Sequence, residues 1–196
     1  MAILTLTGFK GGVGKTTSAI CIACLLGSDT LLIDSDPNRS ATLWARKGKL
    51  PFRVCDEKEA PKLLSRNQYK NIIIDTPARP AQDEIESLAK GCDLMILPTS
   101  PEPLAIAALA QIASSLPVGT QYRALLTMCP PSPQKDGREA LDALQKQGLP
   151  VFERLIRRYK VYIKASDLGL PVASVPGSSV AWSDWKELYK ELKEYV

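Results

Sequence analysis

The residues best able to do chemistry lie between Gly8 and Thr17, in the string GFKGGVGKTT. Glycines at this density let the backbone curl until successive N–H groups point inward, and a helix starting just behind them adds its positive end. Such a loop holds phosphates. Lys15 can reach the β- and γ-phosphate oxygens of a nucleotide, and the Thr16 hydroxyl can ligate Mg²⁺. Gly11, Gly12, Val13, Gly14 and Thr17 complete the nucleotide-binding stretch.

Two acidic strings suit the same chemistry. LLIDSDP places Asp34 and Asp36 at the carboxyl end of an apolar run, both leaning to one side because strands repeat every two residues. Beside bound phosphates, one carboxylate could serve Mg²⁺ and the other could orient a water; the lesser reading is that Asp36 merely starts a turn before Pro37. NIIIDTP is a second buried run ending in an acid, and it resembles a Walker B strand; that resemblance implies that Asp75 holds Mg²⁺, through a coordinated water because the ion dehydrates reluctantly. No neighbour resembles a strong general base, so hydrolysis here would be slow and rest on positioning and charge.

One detail of the loop narrows the class. The pattern GxxxxGK[ST] would put glycine where this chain has Phe9; KGGxxK[ST] fits instead, with a second lysine, Lys10, ahead of the glycines. KGGVGKTT resembles the deviant Walker A ATPases of the ParA/MinD family. LLIDSDP is similar to that family's DxDP motif, and NIIIDTP to its Walker B strand, with Ala78 in place of a second proline. PTSPEPLAIAAL and VYIKASDLGLPV resemble the segment after its fifth strand and the stretch before its last strand, so the likeness spans the chain.

The resemblance implies a P-loop NTPase fold, ATP and Mg²⁺ as cofactors, and catalytic roles for Lys10, Lys15 and Asp36. Lys10 would reach across a homodimer interface to the partner's nucleotide, and Asp36 would position the attacking water. Asp34 would stand with Thr16 and Asp75 near the metal. The likeness is nearest to the short ParA-type partition ATPases without an N-terminal helix-turn-helix domain, since the loop begins close to Met1. One departure concerns the base. Many relatives carry an asparagine after strand six that recognises adenine, whereas this chain reads Leu126-Thr127-Met128-Cys129. That leaves adenine to other groups, backbone near Thr127 and Pro176 among them.

The elements that must position these groups alternate along the chain. Short apolar runs at 2–7, 30–33, 71–74, 94–97 and 122–127 are separated by helical patterns at 15–26, 38–47, 60–66, 81–90, 104–115 and 137–147. Continuous apolar strands alternating with helices predict an α/β fold: a mostly parallel, twisted sheet with helices on both faces, as one domain over 1–196. Ligands of such sheets sit at the carboxyl ends of the strands, where the glycine loop and the acids fall. A last pattern at 179–195 gathers Trp182, Trp185, Leu188, Tyr189, Leu192 and Tyr195 on one helix face.

Composition sets the remaining bounds. With 196 residues, 45% of them hydrophobic and 23% charged, the chain can bury a core, which excludes a disordered, collagen-like or disulfide-scaffold protein. It has no histidine, which excludes His-dependent triads and histidine metal sites. Five cysteines are an odd number and read as free thiols. Cys21 and Cys24 form a CxxC pair inside the helix behind the loop and are expected to face the core, which argues against an iron–sulfur carrier. No apolar run approaches the roughly 20 residues of a membrane span, and no signal-peptide flank precedes the first strand, so a cytoplasmic location is expected.

Net charge is only +4, yet basic residues crowd one place: Arg154, Arg157, Arg158, Lys160 and Lys164 follow Glu153 closely. This is the region that ParA-type relatives use for DNA, so the resemblance implies non-specific binding of nucleoid DNA through Arg157, Arg158, Lys160 and Lys164, with a ParB-like or other adaptor protein stimulating hydrolysis. The cargo could be a plasmid, a chromosome, a chemoreceptor array or a carboxysome. A MinD-like membrane-associated ATPase is the alternative. Against it, Lys186, Lys190 and Lys193 of the last helix are offset by Glu187, Glu191 and Glu194, a poor match to anionic lipid.

Overall fold

The computed structural model describes residues 1–66 and 68–196. Six parallel strands form one sheet in the order β3-β2-β4-β1-β5-β6. They are β1 (Ala2–Gly8), β2 (Thr30–Asp34), β3 (Arg53–Asp56), β4 (Asn71–Ala78), β5 (Leu94–Thr99) and β6 (Tyr122–Leu126). Among the described residues, eight α-helices connect or follow them: α1 (Lys15–Leu26), α2 (Ser40–Ala45), α3 (Ala60–Leu64), α4 (Gln82–Gly91), α5 (Pro103–Ser115), α6 (Asp136–Lys146), α7 (Val161–Leu168) and α8 (Ser179–Leu192).

Alternation along the strands builds a core on each face. Leu4, Leu6, Leu32, Ile73, Leu94, Ile96 and Leu125 point to one side, where α1, α2, α7 and α8 bury Ile20, Trp44, Ala165, Trp185 and Leu188. The other face splits in two. Met95, Leu97 and Leu126 meet Ile85, Leu109, Ile112 and Leu141 from α4, α5 and α6. Leu31, Ile33 and Ile72 meet Ala60 and Leu63 from α3. With both faces covered, the strands can be apolar throughout, as expected for a parallel sheet.

Three elements differ from the sequence reading. Strand β3 (RVCD) lies at the sheet edge, paired only with β2, and carries too little apolar sequence to stand out. Residues 150–158 run irregularly along the free edge of β6. Pro150 O accepts from Ala124 N at 2.9 Å, Phe152 N donates to Ala124 O at 3.0 Å, and Ile156 N donates to Leu126 O at 2.9 Å. Finally, among the described residues no last strand follows 161–172. α7 ends at Gly169, whose φ of +66° closes the helix, and a 3₁₀ turn (Val172–Ser174) between Pro171 and Pro176 leads into α8.

The apolar stripe of α8 is committed to the core: Trp185 is 1% exposed and Leu188 and Leu192 are fully buried. Among the described residues no helix is long and apolar enough to cross a membrane. Cys21 is buried and Cys24 half-buried on α1, and burial pushes the Cys24 thiol up to about 12, leaving it an inert packing group.

Candidate nucleotide-binding site

The glycine loop leaves β1 through a break in the ladder. Leu6 pairs with Asp75 but Gly8 pairs with Ala78, so the register slips by one at Thr7 and re-aims the chain. Gly12 and Gly14 then adopt φ of +77° and +80°, values that glycine reaches without a Cβ penalty. Gly14 is the N-cap of α1, with no side chain closing the cap and no acid in the first turn. The first amides of α1 and its positive end are thus left for an anion. Thr127, just past β6, fastens the loop from the other side: its hydroxyl donates to Val13 O at 2.8 Å and lies 3.0 Å from Thr99 O. The sequence reading places Thr127 near the base and misses this role.

Lys15 opens α1 and is 7% exposed. Burial lowers its pKa, while Asp75 and Asp36 pull it back up. A cation so poorly solvated gains strongly from a phosphate beside it.

Asp75 closes the buried part of β4 and is fully buried, and neither of its carboxylate oxygens has a hydrogen-bond partner among the described residues. Burial lifts its pKa to about 7 against the pull of the Thr16 hydroxyl, with neighbouring Asp34 adding to the rise and Lys15 opposing it. A buried carboxylate whose one neighbouring donor, the Thr16 hydroxyl, stands outside hydrogen-bonding geometry is costly and calls for a cation. Mg²⁺ fits this donor set, with Asp75 and Thr16 as the residues that would hold it; when bound, it would neutralise charge on the phosphate oxygens.

Asp34 corrects the sequence reading in part. It lies opposite Asp75 in the β2–β4 ladder, yet its Oδ2 accepts from Thr42 N at 2.8 Å and Thr42 Oγ1 at 2.7 Å. Half of this carboxylate therefore anchors the first turn of α2, and only Oδ1 is left without a partner among the described residues.

Asp36 builds its turn and also faces the loop cavity. Its Oδ1 accepts from Asn38 N at 2.8 Å and Asn38 Nδ2 at 2.9 Å, so it does build the turn. It also lines the same cavity as Gly11, Gly12, Lys15 and Thr16, a space of about 690 Å³. The turn is braced by Arg39, whose guanidinium bonds Asp34 O and grips Glu57 at 2.5 and 2.7 Å, holding that carboxyl down at about 2. A smaller cavity of about 210 Å³ adjoins it behind Gly14 and Thr17, walled by Met128, Arg157, Tyr159, Tyr162 and Ile163. Its apolar and aromatic walls suit a base. Thr127 lines it, while Pro176 is not among the described residues that do.

Lys10 does not project freely. Its Nζ donates to Glu102 Oε2 of its own chain at 2.8 Å, and Ser100 Oγ donates to the same oxygen at 2.8 Å. The basic cluster divides as well. Arg157 is tied inward, with Nε 2.9 Å and Nη2 2.7 Å from the buried carboxylate of Asp184, which also pairs with Arg154. Arg157 is therefore a wall of the base-side cavity and a structural ion pair, which removes it from the outward-facing cations. Arg158, Lys160 and Lys164 remain exposed.

A phosphate loop at the carboxyl end of a central parallel strand, backed by a buried lysine and an orphaned carboxylate, defines a P-loop nucleotide-binding domain. Residues 4–172 match the family model described as the CobQ/CobB/MinD/ParA nucleotide binding domain, and the chain belongs to that family. The chain is 35% identical over 195 residues to Maintenance of carboxysome distribution protein A of Gloeobacter kilaueensis, covering 93% of this chain and 90% of that one. Its fold is that of Cyanothece McdA in a variant complexed with ATP, with a TM-score of 0.77 at 16% identity over 98% of this chain and 96% of that one. It likewise matches the septum site-determining protein MinD of Pyrococcus horikoshii complexed with Mg-ADP, with a TM-score of 0.67 at 18% identity over 98% and 96%. ATP and Mg²⁺ are the cofactors consistent with these neighbours and with the donor set of Lys15, Thr16 and Asp75.

Proposed function

We propose that this chain is a ParA-type ATPase that forms an ATP-dependent sandwich dimer, binds DNA without sequence preference and positions cargo with an adaptor that stimulates slow hydrolysis. The observation that carries the reading is the placement of buried Lys15 and orphaned Asp75 behind one loop whose second lysine, Lys10, stands ahead of the paired glycines. Lys15 would bind and neutralise the phosphates, and Asp36 would orient the attacking water from its Asn38-braced turn. Lys10 would leave Glu102 and reach the nucleotide of a second copy.

A line of contacts from the Asp36 turn toward the basic surface supports coupling of DNA binding to the bound nucleotide. α2 follows the Asp36 turn and is bonded to the end of α7: Trp44 Nε1 donates to Leu170 O at 3.0 Å, and Lys47 Nζ bonds Asp167 O. Lys164 lies on α7. The likeness to Maintenance of carboxysome distribution protein A favours a carboxysome-type protein cargo over a plasmid. The burial of the α8 apolar stripe favours DNA over a membrane surface as the support.

Filter binding of random duplexes with ATP or ADP, at several salt concentrations, tests the reading. Binding that needs ATP, ignores sequence and weakens with salt is expected. Tight binding to anionic liposomes but not to DNA would replace it with the MinD-like alternative.

A further inference from the structure

Arg79 is a non-glycine residue held at φ +57°, a strained arrangement that persists only where its surroundings enforce it. It sits one residue beyond β4, the strand that carries Asp75. What it touches gives the reason. Its backbone N–H donates to Gly8 O at 3.2 Å, and its side-chain Nε donates to Phe9 O at 3.2 Å. Just upstream, Thr76 Oγ1 donates to Leu6 O at 2.9 Å. Three donors from the end of β4 thus grip three of the four carbonyls that lead from β1 into the glycine loop, and the last of them belongs to the residue directly before Lys10.

Arg79 and Lys10 also share one surface depression with Phe9 and Leu104. Lys10 is engaged by Glu102, whereas Arg79 has no carboxylate partner among the described residues. Its guanidinium is therefore directed to the loop backbone rather than to an ion pair.

We propose that Arg79 is a positioning residue for Lys10: its strained backbone and its side chain together fix the Gly8–Phe9 segment from which the lysine projects. The consequence for assembly rests on the reading above, in which Lys10 reaches the nucleotide of a second copy. The left-handed backbone is itself what brings N–H and Nε to adjacent carbonyls. Glycine at this position keeps the backbone bond and removes only the side-chain grip.

The test uses the full chain with Arg79→Gly, Lys10→Ala and the double variant. Arg79→Gly relieves strain but loosens the unfolded chain, so its melting temperature should stay within about 3 °C of the parent. In the nucleotide-free protein, the backbone ¹⁵N heteronuclear NOE at Phe9 and Lys10 should fall, while that of α1 should not. Sedimentation with ATP should show roughly three- to tenfold weaker association, the worth of one hydrogen bond. Wherever Lys10→Ala retains measurable association, adding Arg79→Gly to it should cause no further loss. Unchanged NOE values at Phe9 and Lys10 would overturn the proposal, and so would an equal loss of association with and without Lys10. If Lys10→Ala associates normally, it is the sandwich reading that fails, and the amide order at Lys10 still decides whether Arg79 positions it.

Discussion

Lys10 Nζ lies 2.8 Å from Glu102 Oε2, so the lysine that distinguishes this phosphate loop is held on its own chain. Glu102 stands below the usual carboxylate range because Lys10 and then Ser100 hydrogen-bond it. Any role for Lys10 in a second subunit must begin by breaking this pair, which is solvent-exposed and hence weak.

Removing the charge from Glu102 should therefore favour assembly. Glu102→Gln is expected to strengthen ATP-dependent association by up to about fivefold, the range of exposed ion pairs, with little change in ATP affinity. Sedimentation equilibrium across ATP concentrations reads both. Weaker association would mean that Glu102 supports the dimer instead of restraining Lys10.

Asp36 and the buried lysine should separate turnover from binding. Lys15→Ala should abolish nucleotide binding, since it removes the cation buried behind the loop. Asp36→Ala should keep ATP binding and slow hydrolysis by about 10-fold or more, the order of a lost water-positioning contact. A fluorescent ATP analogue and a phosphate-release assay measure the two steps. Normal turnover in Asp36→Ala would remove it from the catalytic set.

Asp184 offers a pH test away from the nucleotide. Burial alone would raise its pKa, but hydrogen bonds from Arg157 and Arg154 hold it below the usual value. A carboxyl depressed on folding contributes stability that is fully present above its unfolded pKa of about 3.9 and is lost as pH falls through the folded value. Asp184→Asn should cost about 2 kcal/mol near neutral pH, because it removes the ionised acceptor shared by two half-buried arginines. It should also flatten the acid limb of the stability profile. Denaturant melts from pH 3 to 7 would show a curve parallel to the parent's if Asp184 were not the linked group.

The same ion pair decides which charge reversals are informative. Arg158→Glu, Lys160→Glu and Lys164→Glu alter exposed cations and should each weaken binding to all duplexes alike, reducing the slope of log K against log salt by roughly one per contact. Arg157→Glu would set a second carboxylate against Asp184 and damage the fold first. Circular dichroism alongside filter binding distinguishes the two outcomes; a folded Arg157→Glu protein with the only DNA defect would restore Arg157 to the binding surface.

Much of this site is legible in sequence because its parts are local. Gly8 to Thr17 and the strand ends at Asp34 and Asp75 are contiguous strings whose chemistry follows from residue type and strand period. What escapes depends on contacts between distant segments. Thr127 bonds Val13 across the sheet, Thr42 takes half of Asp34, and Asp184 claims Arg157, none of which a run of residues reveals. β3 escapes for a different reason: an edge strand needs little apolar sequence, so RVCD carries almost no periodic signal. The 150–158 segment pairs too irregularly with β6 to leave any. Arg79 carries no sequence signal at all, because its left-handed backbone is a property of the folded chain.

The central claim is that ATP, and not ADP, joins two copies through Lys10. Sedimentation velocity of the full chain with Mg²⁺ and ATP, with Mg²⁺ and ADP, and with ATP on Lys10→Ala tests it most directly. The account predicts a dimer with ATP, monomer with ADP, and monomer or much weakened dimer for Lys10→Ala despite normal ATP binding. Equal dimerisation in ATP and ADP, or a Lys10→Ala dimer indistinguishable from the parent, would contradict it.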